Sequence, residues 1–151
     1  METSLNIRSF RIGNLVYNSH LERIGYIAEI TRADMTLFHG EMLIKEAGFY
    51  HEILDKVVLG DVRPIRLTPT LLEKCGFEKE FSDCYQRFDY YIIPRVICLS
   101  PKKEGFCWQV EDEIDDCNVD VPIKYLHQLQ NIYFTFNGTE LNVEKIYDAR
   151  M

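Results

Sequence analysis

Four hydrogen-bonding side chains occupy five consecutive positions: His127, Gln128, Gln130 and Asn131, interrupted only by Leu129. A side-chain amide carries donors and an acceptor, and a neutral imidazole offers one of each through its two nitrogens. Facing outward, such a row reads the polar edge of a partner. Facing a seam between helix and sheet, it satisfies loop backbone groups that would otherwise be buried unpaired. A second concentration is acidic. Glu111, Asp112, Glu113, Asp115 and Asp116 fall together, with Asp120 close behind. A like-charged run is ordinarily a solvated loop. Its other uses are as a docking surface for a basic protein, or as a mimic of a nucleic-acid backbone. In the mimic, carboxylates stand in for phosphates and block a nucleic-acid-processing enzyme by charge complementarity.

Metal and nucleophile chemistry find less footing. The histidines are His20, His39, His51 and His127, and none lies three or four residues from another His or a Cys. Zinc sites are built on such local ligand pairs. The acidic run lacks the alternating carboxylates and the turn glycine of an EF-hand loop. The cysteines, Cys75, Cys84, Cys98, Cys107 and Cys117, are odd in number and irregularly spaced, with no CxxC. Reduced thiols are the expectation. A hydrolase built on a Cys/His pair is one alternative reading. No Gly-x-Ser-x-Gly, P-loop or Gly-x-Gly-x-x-Gly occurs, and these are the patterns that would name an enzyme class. The expectation is a non-enzymatic protein with no catalytic residue, metal or cofactor.

Composition narrows the partners. With 151 residues, 46% hydrophobic and 27% charged, the chain suits one globular domain over 1–151. The formal net charge is -7. Most of the excess lies in the second half, where 8 basic residues face 14 acidic ones between 76 and 151. Lys and Arg form no stripe, and an acidic field repels phosphate, so direct nucleic-acid binding is not expected. No apolar run approaches the roughly 18 residues of a membrane span. The start, Met1-Glu2-Thr3-Ser4-Leu5-Asn6, has no basic and then apolar export pattern. A cytoplasmic protein with an unidentified protein partner follows; the nucleic-acid mimic is the alternative.

These groups must be held by an α+β fold. Ser9–Tyr17 reads as β-structure around a Gly13-Asn14 turn signal, and Ile24–Ile30 as a strand alternating with period two. Met35–Phe38 is a third strand. Gly13 or Gly25 would supply a kink or bulge. The opening suits either an SH3-like sheet or a generic antiparallel meander. Residues 41–63 fit a helical face or two short strands equally. Thr68 as N-cap, Pro69 at the first helical position and Gly76 after Cys75 bracket a short helix, with Phe77 as its apolar stop. Residues 85–99 and 106–110 read as strands, with Pro94 at an edge or bulge and the acidic run following as a loop. From Pro122 to Phe136, Leu126, Leu129, Ile132, Tyr133 and Phe136 share one helical face, and Asn137-Gly138 ends the helix. The fold expected is a curved antiparallel sheet with one short and one long helix packed on it.

Three segments also resemble a group of short, uncharacterised proteins of gut-dwelling Bacteroidetes and their phages. Arg11-Ile12-Gly13-Asn14-Leu15-Val16 is similar to that group's opening R-I-G-N-x-V. Pro64-Ile65-Arg66-Leu67-Thr68, continuing to Leu71-Leu72 and Gly76-Phe77, is similar to its P-I-x-L-T … L-L-x-x-x-G-F. Ile123-Lys124-Tyr125-Leu126-His127-Gln128-Leu129-Gln130-Asn131 matches its I-K-Y-x-H-Q-L-Q-N, the most specific of the three. The resemblance implies a bacterial phage, prophage or mobile-element setting. It brings no activity, substrate or catalytic residue.

Overall fold

The computed structural model describes residues 9–44, 49–79, 85–89, 95–102, 105–112 and 119–146. Two compact units divide them, one up to Ile65 and one from Arg66 to Ile146. The content is α+β, as expected, but the strands form two sheets, and both helices belong to the second unit.

The first unit holds β1 (Leu15–Asn18), β2 (Arg23–Ile30), β3 (Asp34–Ile44), β4 (Phe49–Val58) and β5 (Val62–Arg63). All pairings are antiparallel, in the order β4-β3-β2-β1-β5. A single 3-10 turn, Leu59–Asp61, separates β4 from β5. Among the described residues the sheet stays open, with β4 and β5 as its edges. The ambiguous stretch from 41 onward thus resolves into the end of β3 and all of β4. Its inner face packs Phe10, Val16, Ile27, Met35, Leu37, Val57 and Val62 into one core.

Gly13 and Gly25 do not supply the bulges. The register slips once in β2, between Ile27 and Glu29, and once in β3, between Phe38 and Glu41. Gly13 instead takes the third position of the turn Arg11–Asn14, with φ +94, the left-handed backbone a type II turn requires there. Asn14 N donates to Arg11 O, and Asn14 Oδ1 accepts from Arg11 N. Gly13 N then donates to Ile27 O and Ile27 N to Asn14 O, tying the turn to β2. Gly25 has a different task. A Cβ there would lie 2.7 Å from the ring of His39, which is fully buried.

The second unit holds α1 (Pro69–Lys74), β6 (Glu78–Lys79), β7 (Tyr85–Asp89), β8 (Arg95–Lys102), β9 (Gly105–Asp112), β10 (Val119–Ile123) and α2 (Leu126–Asn137). Its antiparallel sheet runs β10-β9-β8-β7-β6. Helix α1 is bracketed as its sequence demands. Thr68 Oγ1 accepts from Leu71 N. At the other end Gly76, at φ +91, donates to Glu73 O, and Phe77 N donates to Leu72 O. This is the pair of bonds of a Schellman motif, and Phe77 is buried behind it.

Two boundaries correct the sequence reading. Pro122 does not open α2; it sits in β10, opposite Cys107 of β9. Because β10 pairs only with β9 among the described residues, it is an edge strand, where a residue lacking an N–H is tolerated. The acidic run does not begin as a loop either. Glu111 and Asp112 end β9, opposite Val96 and Arg95. With Lys102 paired to Gly105 at the other end of the hairpin, β8 is long enough to carry its partner out to Asp112. Pro94 lies outside the described residues.

Gly25→Ala is expected to destabilise the first unit by about 1–3 kcal/mol, the usual cost of forcing volume into a packed interior. Urea unfolding followed by far-UV circular dichroism measures it; an unchanged midpoint would mean that the His39 ring moves aside freely.

Candidate functional site

Helix α2 shows what the polar quartet does. Its N-cap is Tyr125, in extended backbone. The first amides of any helix lack intrahelical acceptors, and so do the N–H groups of the chain entering it. Gln128 answers this, because its Oε1 accepts from Lys124 N at 2.8 Å and from Tyr125 N at 3.0 Å. That is the backward-reaching half of a capping box. The helix ends at Gly138, at φ +72, whose N–H donates to Phe134 O at 2.8 Å.

The apolar stripe is inside. Leu126, Leu129 and Tyr133 are buried, while Ile132 and Phe136 are half-buried. Tyr133 meets Trp108 of β9 edge-on, with ring centroids 6.4 Å apart, and Phe136 lies 6.1 Å from the same indole. Trp108 is fully buried, and its Nε1–H has no hydrogen-bond acceptor among the described residues.

His127 and Gln130 are also buried, leaving Gln128 and Asn131 half-exposed. The imidazole of His127 stacks on the ring of Tyr125, with centroids 5.8 Å apart and planes 15° from parallel. Burial opposes its charged form and pushes its pKa down to about 4, so the ring is neutral at neutral pH. The quartet is therefore not one outward-facing row. Of the acidic candidates, Glu111 and Asp112 are described only as backbone at the end of β9. Glu113, Asp115 and Asp116 lie outside the described residues.

A second polar cluster, in the first unit, escapes the sequence reading. Asn18 and His39 are both fully buried. Asn18 Oδ1 accepts from His20 N at 3.0 Å and Leu21 N at 3.3 Å, which folds the turn after β1 back onto the side chain. Those two contacts fix which way the amide points, so Nδ2 faces inward. It donates to Asp55 Oδ2 at 2.9 Å and lies 3.1 Å from His39 Nε2. An NH2 group only donates. His39 Nε2 must therefore be the lone-pair nitrogen, with the ring proton on Nδ1, directed at Ile24 O 3.4 Å away. Arg23 completes the cluster by donating from Nη2 to His39 O at 3.0 Å. Burial, foremost, lowers the His39 pKa, and the Arg23 charge adds to this; the Ile24 carbonyl and Asp55 act in the opposite sense.

What this cluster can do is structural and titratable. A fully buried ring meets no substrate. Among the described residues no three His, Cys, Asp or Glu side chains gather as a metal site, and no helix is long and apolar enough to cross a membrane. No protein-family model, curated protein or solved structure matches the chain.

The His127 environment has a pH signature. Above about pH 6.5 the ring is neutral in both folded and unfolded chains and contributes no pH dependence. As pH falls below that, the unfolded chain takes up a proton that the folded one, with its pKa near 4, refuses. The second unit should lose about 3 kcal/mol between pH 6.5 and 4 through this residue. Trp108 is the chain's single tryptophan, so its fluorescence during urea unfolding reports on this unit. His127→Phe should flatten the slope, and equal slopes in both chains would contradict the assignment.

Proposed function

We propose that this is a cytoplasmic, non-enzymatic protein-interaction module of the phage or mobile-element kind its motifs resemble. The observation that carries the reading is the outer edge of the first sheet. β4 is a ten-residue strand with β3 as its only sheet neighbour among the described residues. Leu54 is 53% exposed and Val58 60% exposed, with exposed Lys56 between them on the same face of the strand. Sheet edges are ordinarily blunted by charge, proline or brevity, because their open backbone groups recruit another chain. Here the one described charge on that face, Lys56, stands 3.8 Å from Asp34. A surface pair of this kind contributes little to stability.

An extended segment of a partner protein added along β4 would take its main-chain hydrogen bonds, and Leu54 and Val58 would select its side chains. This moves the expected contact away from the α2 quartet, since Gln128 already serves the backbone and His127 and Gln130 are buried. Asn131 remains half-exposed. The hydrolase reading draws no support from Cys75 and Cys107, because both are inside.

The double variant Leu54→Asp, Val58→Asp tests the reading. Both side chains are exposed, but Asp suits a strand poorly and a carboxylate at position 58 would stand opposite Asp34, so a loss of about 1 kcal/mol per site is expected, with the fold retained. Capture of the partner from host lysate should fall at least about tenfold, which corresponds to 1.4 kcal/mol of binding. Undiminished capture by a folded double variant would remove β4 as the contact.

A further inference from the structure

The Asn18 amide has every hydrogen-bonding atom committed, and that makes His39 more than a core residue. One carbonyl oxygen holds the two amides of the turn, and one NH2 group holds Asp55 and the His39 lone pair. The turn it holds, Ser19–Glu22, joins β1 to β2 and includes Glu22 at φ +52. A left-handed non-glycine residue is held in place by its surroundings rather than by its own preference. We propose that His39 is a proton-operated latch on this turn: protonation at Nε2 breaks the bond to Asn18 and releases the amides of His20 and Leu21.

Donor geometry drives the release. A proton on Nε2 would point an N–H at the NH2 group of Asn18, placing donor against donor. The amide cannot answer by flipping. A flip would withdraw Oδ1 from His20 N and Leu21 N and turn it toward the Asp55 carboxylate, where two acceptors would face each other. The side chain must leave its place, and the turn loses both bonds. The charged and titratable groups facing the ring are Arg23 from β2, through its bond to His39 O, and Asp55 from β4; β1 contributes Asn18. Gly25 of β2 closes the space beside the ring, so the imidazole cannot slide away from Asn18 in that direction. Burial places the release below the ordinary imidazole range near pH 6.5. The latch concerns the β1–β2 turn alone and stands whether or not β4 binds a partner.

Amide hydrogen exchange on the full chain, read by NMR from pH 7.5 to 5 and corrected for intrinsic rates, tests it. Protection at His20 and Leu21 should fall at least about tenfold in step with the His39 ring titration. Protection at Ile27, bonded to Asn14 O, should hold. In His39→Gln the side-chain oxygen accepts from Asn18 at any pH, so the drop should vanish. In Asp55→Asn it should persist. Protection that ignores the His39 titration, an Ile27 loss in parallel, the same drop in His39→Gln, or its disappearance in Asp55→Asn would each overturn the latch. If His39→Gln does not fold, the contrast between Leu21 and Ile27 in the unaltered chain decides.

Discussion

A side-chain amide taken wholly out of water must place all of its donors and acceptors, and in the first unit that constraint falls on Asn18. An unsatisfied buried polar atom costs about 1–3 kcal/mol. Each of the contacts Asn18 makes therefore fixes something else: the shape of the turn after β1, the position of Asp55 on β4, and the protonation state of His39 on β3. The strand order brings these residues together. β1, β2, β3 and β4 are consecutive neighbours in the sheet, and one polar cluster ties all four beside a core that is otherwise apolar.

The same constraint explains the motifs. The R-I-G-N segment is a turn whose Asn14 side chain and backbone hold Arg11 and Ile27. The segment from Pro64 to Phe77 is a capped helix with its Schellman end. In the I-K-Y-x-H-Q-L-Q-N segment, Gln128 caps the helix entrance and Leu126 and Leu129 fill the interior. Turns and helix ends expose backbone groups that regular structure leaves unpaired. These segments work on the chain's own backbone.

What was legible in the sequence was local. Thr68, Pro69, Gly76 and Phe77 act within one helix turn of each other, so their roles can be read from spacing. The burial of Leu126, Leu129 and Tyr133 follows from helical periodicity. Pro122 misled because proline suits both a helix start and an edge strand, and only the pairing with Cys107 separates them. Glu111 and Asp112 misled because a like-charged run looks like a loop until the length of β8 is known. The His39 cluster had no local signature at all. Its partner Asn18 lies 21 positions away, and Asp55 lies 37 from Asn18. A lone histidine with no neighbour in sequence carries no signal until the sheet supplies one.

Asn18 dictates the state of His39, and the tautomer of the ring reports on it. Long-range proton–nitrogen NMR at neutral pH distinguishes the two ring nitrogens. The expected result is a neutral imidazole with its proton on Nδ1 and a bare Nε2. A proton on Nε2 at neutral pH would contradict it, because the Asn18 amide could not then hold both the turn and the ring.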